Sequence, residues 1–233
     1  MDLIEVNNKN NNRHPWELSR TKCLISEIKK NHKSGNILDI GSGDTYFDLE
    51  LLNSGINVNS LRGVDINLKE EIKSNGCIWT NDYKKLDIKK YDTIIMMDVI
   101  EHVECDSAFI NETVLKLLND KGRIILTVPA YQSLFSHHDE VLKHYRRYNY
   151  KMIKDLANKC NLKITSHHYF YLSLLLPRLL TKSKESTISN WKYSKNHIIT
   201  KFIYFILNTD YYLCKLFGGF SAGLSLYAVL ERK

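Results

Sequence analysis

The chain is poor in the residues that build small stapled folds. Its five cysteines (Cys23, Cys77, Cys105, Cys160, Cys214) are odd in number, scattered and without a CxxC pair. That excludes a disulfide framework and a cysteine-rich zinc module, and it favours a reducing compartment. A long apolar run is also missing. Pro177 and Arg178 break one hydrophobic stretch, and Lys201, Asn208 and Asp210 break another, so neither reaches the roughly 20 apolar residues of a membrane span. The start is polar and rich in asparagine (Asn7, Asn8, Asn10, Asn11, Asn12), unlike the basic-then-apolar opening of a secretory signal. Residues 1–14 are therefore expected to be a disordered tail, and the protein to work in the cytoplasm. There is no internal repeat.

What is present is the composition of an ordinary globular protein, with 43% hydrophobic and 25% charged residues in a chain of 233. That length accommodates one core, so residues 15–233 are expected to form a single domain. The net charge of +7 is unevenly placed. Between Val141 and Lys201 thirteen lysines and arginines face only Asp155 and Glu185, so the remainder of the chain is net acidic. Such a field favours an anionic partner: a phosphorylated small molecule, an acidic membrane surface or nucleic acid. A solvated lysine-rich face would give the same count.

Strand and helix patterns alternate. Pro15, the first-turn acid Glu17 and the basic run before Gly35 mark a helix over 15–33 with Trp16, Leu24 and Ile28 on its buried stripe. Asn36 to Ile40 reads as a buried strand ending in Gly41-Ser42-Gly43, and Thr45 to Asn53 as a helix stopped by Gly55. Next come a strand at 60–65, a helix at 68–74 stopped by Gly76, and strands at 77–80 and 91–97. A helix over 107–119 leads to a strand at 123–128; a helix (151–159), a strand (163–169) and a last strand (225–231) complete the series. The pattern implies an α/β, Rossmann-like doubly wound sheet, mostly parallel with an antiparallel final strand. A substrate loop is expected at 130–150 and a basic, aromatic insertion, a small helical lid, at about 170–222.

A glycine turn between a buried strand and a helix brings the backbone close to a ligand at the helix N-terminus. Asp65 ends the next strand about 20 residues on, where a carboxylate can accept from both ribose hydroxyls. Gly43 is followed by Asp44, Thr45 and Tyr46 and not by the further glycine that a pyrophosphate needs, while Asp39, just before the turn, would repel a phosphate and suits a cation.

These residues carry a resemblance. Ile37-Leu38-Asp39-Ile40-Gly41-Ser42-Gly43 resembles motif I of the class I S-adenosylmethionine (SAM)-dependent methyltransferases, with Thr45 in place of the third glycine. In that family the acid before the first glycine lies near the cationic amino acid end of SAM. Gly63-Val64-Asp65-Ile66 resembles the ribose motif, Asn81-Asp82 the position that meets the adenine amino group, and Asp92 through Asp98-Val99-Ile100-Glu101-His102-Val103 the fourth strand, whose end lies beside the methyl group. The resemblance implies SAM as cofactor, held by Asp39, Gly41, Ser42, Gly43, Asp65, Ile66, Asn81, Asp82 and Asp98. Taken singly, Asp39, Asp65 and Asp82 would also serve as turn and cap residues.

The acceptor side is expected in the loop after the fifth strand, beyond the strand C-termini. His138 and His144 are the candidate general bases, with Asp139 to orient one of them; His138 is favoured because it lies nearer the strand. Tyr131, Tyr145, Arg146, Arg147 and Tyr148 are the expected substrate wall, the arginines suited to phosphate or carboxylate. A second role competes for Asp139 and His144, which is closing the loop by pairing with Arg147. His137, His138, Asp139 and His144 lack an established metal-ligand spacing, so no metal is expected.

Val128-Pro129-Ala130 with the His138 to Tyr148 pattern, His14-Pro15-Trp16-Glu17 and Gly223-Leu224-Ser225-Leu226 is similar to a bacterial subgroup that accompanies glycosyltransferases and polyprenyl-linked sugar assembly. The function expected is methylation of a small or lipid-linked acceptor, O-methylation of a sugar or related anionic metabolite. A quinone or isoprenoid C-methyltransferase and a non-catalytic SAM-binding module are the alternatives. Nucleic acid is disfavoured as substrate, since Asp98 is followed by Val99-Ile100 and not by a (D/N)PP(Y/F) tetrad. Ile199, Phe202, Ile203, Ile206, Leu213 and Phe217 recur at helical spacing beside the basic segment, a combination that suits the inner membrane face, a lid lobe or a dimer contact.

Overall fold

The computed structural model describes residues 13–181 and 197–233. The tail expected at 1–14 falls, up to residue 12, outside the described residues, as do Lys182, Lys184, Glu185, Lys192 and Lys195 of the basic segment.

The strands are β1 (Asn36–Ile40), β2 (Ser60–Val64), β3 (Ile72–Ser74), β4 (Cys77–Thr80), β5 (Tyr91–Met97), β6 (Leu118–Pro129), β7 (Leu162–Phe170) and β8 (Ser225–Arg232). They form one eight-stranded sheet in the order β3-β4-β2-β1-β5-β6-β8-β7. Pairings from β4 through β6 are parallel, and the final strand β8 runs antiparallel between β6 and β7, as the sequence implies. The helices are α1 (Pro15–Asn31), α2 (Tyr46–Asn53), α3 (Asp106–Phe109), α4 (Leu115–Leu117), α5 (His137–Val141), α6 (Tyr150–Lys159), α7 (Leu172–Thr181) and α8 (His197–Leu216).

Side-chain alternation along the buried strands divides the core into two layers. From β5, Ile94 and Met96 join Ile110, Val114, Ile153 and Leu156 on one face, whereas Ile95 and Met97 join Leu24, Ile28, Leu51, Leu207 and Tyr211 on the other. Helix α1 begins where its sequence says it should. His14 caps it by accepting from the Trp16 N–H at 3.1 Å, Pro15 occupies the first turn, and Lys29 and Lys30 close the last.

The helix expected over 68–74 is not formed. Ile72–Ser74 is β3, antiparallel to β4, and Asn75 (φ 52°) and Gly76 (φ 76°) make the turn between them. Two consecutive left-handed residues, Asn then Gly, are what a two-residue type I′ hairpin demands, so Gly76 closes a hairpin instead of stopping a helix.

Two further boundaries move. The helix expected over 107–119 spans 106–117 with a π-type turn at Ile110–Val114, and β6 starts at Leu118, ahead of the expected Arg123. The insertion at 170–222 carries α7 and α8, and α8 packs on α1. The buried line of α8 is Leu207, Tyr211 and Cys214; Phe202, Leu213 and Phe217 of the expected stripe face outward. Among the described residues no helix is long and apolar enough to cross a membrane.

Candidate active site

The cleft at the C-terminal ends of β1, β2 and β5 is where the sheet order reverses its direction of growth, the place where open α/β sheets bind ligands. Its floor is Asp39. The residue is 1% exposed, and neither carboxylate oxygen accepts a hydrogen bond of ordinary geometry. Burial, then the neighbouring Asp48 carboxyl, pushes the Asp39 pKa well up. Asp48 accepts from Trp79 Nε1 at 2.6 Å and is itself pushed up to about 7 by burial. A buried carboxyl pair without a basic partner favours a cation brought from outside.

Beside this floor the glycine turn is held closely, the Gly41 and Ser42 N–H groups donating to the Val64 carbonyl at 2.7 and 3.3 Å. Gly41 (φ 80°) and Gly43 (φ 56°) are left-handed, and a Cβ on Gly41 would lie 2.6 Å from Val99 Cγ2. Ser42 is buried with its hydroxyl unpartnered. Asp65 fixes the loop by accepting from the Gly43 N–H at 2.9 Å, and its other oxygen accepts from the Asn67 N–H at 2.8 Å. Ile66, beside it, is 78% exposed, an apolar surface open at the cleft edge. Asn81 is exposed and donates to the Leu68 carbonyl, and Asp82 caps the turn at Tyr83–Lys85 by accepting from the Lys84 N–H at 2.9 Å.

Asp98 ends β5 in the left-handed region (φ 55°), a strained setting for a non-glycine residue. It accepts from Thr127 Oγ1 and forms an ion pair with Arg20 of α1. Trp16, Glu17 and Arg20 thus form the wall of the cleft opposite the glycine turn. Arg13 reaches the same rim, paired with Glu17 and Asp44, its guanidinium 3.7 Å from the centre of the Tyr46 ring.

The acceptor loop is organised by Asp139, which is fully buried. Its Oδ1 accepts from Arg147 Nε at 2.7 Å and meets His144 Nδ1 at 3.0 Å, while Oδ2 accepts from Arg147 Nη2 at 3.0 Å and the Ser136 N–H at 2.9 Å. The structure therefore places His144 on the carboxylate that the sequence offered to His138, and it realises the loop-closing pair with Arg147 at the same time. His138 is half-buried, and burial pushes its pKa down.

The expected substrate wall divides in two. Tyr145 is 53% exposed, and Tyr131 is left-handed (φ 61°) and stacked on Tyr169 at 5.4 Å. Arg147 and Tyr148 are buried supports instead, the Tyr148 hydroxyl donating to Asp106 at 2.9 Å. Arg146 is paired with Asp106 at 3.1 Å. The anion clamp expected of Arg146 and Arg147 is thus already engaged by protein groups.

Three participants escaped the sequence reading as site residues. Arg20 reaches Thr127 across 107 residues, a contact no local pattern announces. Glu101 and His102 follow Asp98 closely enough to have been suspected; both face His144, and one donor atom from each of the three lies within 4.8 Å of the others. The His102 and His144 rings meet edge to face at 4.5 Å.

A mostly parallel sheet with a glycine turn after β1 and acids within β1 and after β2 and β5 is an open α/β fold with a ligand cleft at its switch point. Comparison fixes the family. Residues 14–167 match the family described as a methyltransferase domain, so the chain belongs to the methyltransferases, and the class is that dependent on SAM. Among solved structures it is similar to a chain of the Haloferax volcanii complex between the Trm112 methyltransferase activator and a methyltransferase (TM-score 0.57, 11% identity, 92% of this chain and 90% of that one). It is also similar to the N-methyltransferase NodS of Bradyrhizobium japonicum in complex with S-adenosyl-L-homocysteine (TM-score 0.52, 14% identity, 70% and 85% covered). A third likeness is phosphoethanolamine N-methyltransferase 2 of Haemonchus contortus in complex with SAM (TM-score 0.54, 16% identity, 94% and 53% covered). At these identities the likeness is one of fold. No curated protein matches the chain.

Proposed function

We propose that the chain holds SAM in the cleft between Asp39 and Asp98 and methylates an oxygen of a small or lipid-linked anionic acceptor, a sugar or related metabolite, at the 130–150 loop. The observation that carries the reading is the placement of the Asp139–His144 pair on the loop beside the end of β5, next to the cofactor cleft. SAM, when bound, supplies a methyl group on a sulfonium cation.

The residues fit that cofactor. The buried Asp39 carboxyl suits the cationic amino acid end, Asp65 offers lone pairs to the ribose and Ile66 an apolar face to the base. Asn81 and Asp82 would meet the polar edge of the base, and Asp98 would face the transferred group. Asp139 occupies His144 Nδ1 and fixes the ring, leaving Nε2 for the acceptor hydroxyl. Tyr131 and Tyr145 offer ring faces for a sugar.

An anionic acceptor is favoured by the excess of lysine and arginine between Val141 and Lys201. A long apolar tail is favoured by the outward side of α8, where Phe202, Phe205, Leu216 and Phe217 are exposed. The same surface would serve an isoprenoid acceptor or contact at the inner membrane face. The test is incubation of purified protein with methyl-labelled SAM and fractionated cell extract. Label in glycan or lipid-linked sugar supports the reading; label in quinone moves it to isoprenoid C-methylation, and label in no fraction leaves a SAM-binding module.

A further inference from the structure

We propose that Glu101, His102 and His144 form a binding site for one divalent first-row transition cation at the acceptor end of the cleft. A carboxylate oxygen and one ring nitrogen from each histidine lie within 4.8 Å of one another, so small side-chain rotations bring them to the roughly 3–4.4 Å between ligands of one ion with bonds of about 2.0–2.2 Å. Two imidazoles and one carboxylate form a mixed N/O donor set suited to manganese, iron or zinc, with further coordination positions left open.

The second observation is Glu101 itself. It is fully buried, and neither of its carboxylate oxygens accepts a hydrogen bond of ordinary geometry, an arrangement that calls for a cation or a proton to answer it. His144 is held for the task. His144 has Nδ1 engaged by Asp139, the carboxylate–histidine pairing that surrounds metal sites and leaves Nε2 as the ligand atom. The adjoining Tyr145 N–H donates to the Glu101 carbonyl at 2.8 Å, which ties the loop bearing His144 to the turn bearing Glu101 and His102.

The site deepens the function proposed above and, for its role, rests on it. A cation there would take the His144 Nε2 lone pair and replace the free imidazole as the means of activation, lowering the pKa of an acceptor hydroxyl bound to it, with a preference for acceptors that offer two neighbouring oxygens.

The test uses the full chain, stripped with chelator, desalted and titrated with manganese chloride by electron paramagnetic resonance and with zinc chloride by calorimetry. One ion per chain is expected, with Glu101→Gln and His102→Gln each weakening binding tenfold or more and His137→Gln, on the exposed side of the loop, leaving it unchanged. Near-ultraviolet circular dichroism and a cooperative melt check the fold of each variant. If the buried Glu101→Gln does not fold, the partly exposed His102→Gln decides. Absence of stoichiometric binding of either ion, or binding that Glu101→Gln and His102→Gln leave at full strength, overturns the site. Label transfer that continues in chelator while no ion binds defeats this inference but not the methyltransferase reading. Stoichiometric binding lost in these variants, with no label entering any oxygen acceptor, supports the site and defeats that reading.

Discussion

Asp139 holds His144 by its ring, Oδ1 to Nδ1 at 3.0 Å, and the same oxygen accepts from Arg147 Nε at 2.7 Å. Burial opposes ionisation of this carboxyl, but the bonds from His144, Arg147 and the Ser136 N–H outweigh it, so its pKa lies below the usual carboxylate range. A depressed acid contributes stability that is present above its unfolded pKa and lost as pH falls through the folded one. Asp139→Asn leaves Arg147 buried without its counter-ion and is expected to cost about 3–5 kcal/mol. Urea melts check this: the gap between wild type and variant stands at pH 7 and closes only in strong acid. Arg147→Gln follows the same pattern, losing stability rather than merely raising the acceptor KM.

Gly41→Ala should lower stability by about 1–3 kcal/mol, because the position is left-handed and the new Cβ meets Val99 Cγ2 at 2.6 Å. Adding Val99→Ala removes the steric part and leaves the backbone part. The double variant should therefore recover part of the loss in a chemical melt. Full recovery would mean that conformation counts for nothing there.

Asp65→Ala removes the acceptor of the Gly43 N–H as well as the proposed ribose contact. SAM affinity should fall tenfold to a hundredfold by calorimetry, the scale of about 1.5–3 kcal/mol for a hydrogen bond to a charged group. Asp65→Asn keeps one acceptor oxygen and should fall between. Wild-type affinity in Asp65→Ala would move the cofactor elsewhere.

Much of this arrangement is written locally. The glycine turn after β1, the acid ending β2 and the alternation of strand and helix each lie within a short window, so periodicity and turn chemistry suffice to place them. The hairpin at Asn75-Gly76 is equally local, and its glycine serves a helix stop and a two-residue turn alike, so the glycine by itself does not separate them. The loop after β6 is another matter. Which histidine Asp139 takes depends on how Ser136 to Arg147 folds back on itself, and both His138 and His144 were within reach. Arg20 over Asp98 and Leu207 to Cys214 against α1 join distant parts of the chain, and no spacing rule carries such information. On α8 the apolar residues run nearly all round, so the pattern announced a helix but not which side is buried.

The Asp39–Asp48 pair gives a pH dependence of the opposite sign to that of Asp139. Burial raises the Asp48 pKa to about 7, above its unfolded value. A raised group contributes stability that is fully present below the unfolded pKa and lost as pH rises through the folded one. Wild type should therefore lose stability relative to Asp48→Asn as pH climbs from about 4 to about 7. Denaturant midpoints for the two proteins across that range check it. Parallel curves would mean that the pair does not share its burial as described.

The final expectation separates the two histidines, which the sequence left close to equal. His144 has its Nδ1 fixed by a buried carboxylate and faces Glu101 and His102, whereas Asp139 directs its bonds to His144, Arg147 and Ser136. A base that is oriented by a partner loses less on reaching the transition state than one that must find its own orientation. His144→Ala should accordingly lower kcat by about a hundredfold, with SAM affinity unchanged because none of the cleft residues from Asp39 to Ile66 is touched. His138→Ala should stay within about threefold of wild type. Steady-state rates with the acceptor identified by label transfer, together with calorimetry for SAM, make the comparison. The reverse order, with His138→Ala the inactive variant, would return the base to His138 and leave the Asp139–His144 pair as a closure of the loop. Equal rates in both variants would point to an acceptor that needs no proton removed, such as a carboxylate.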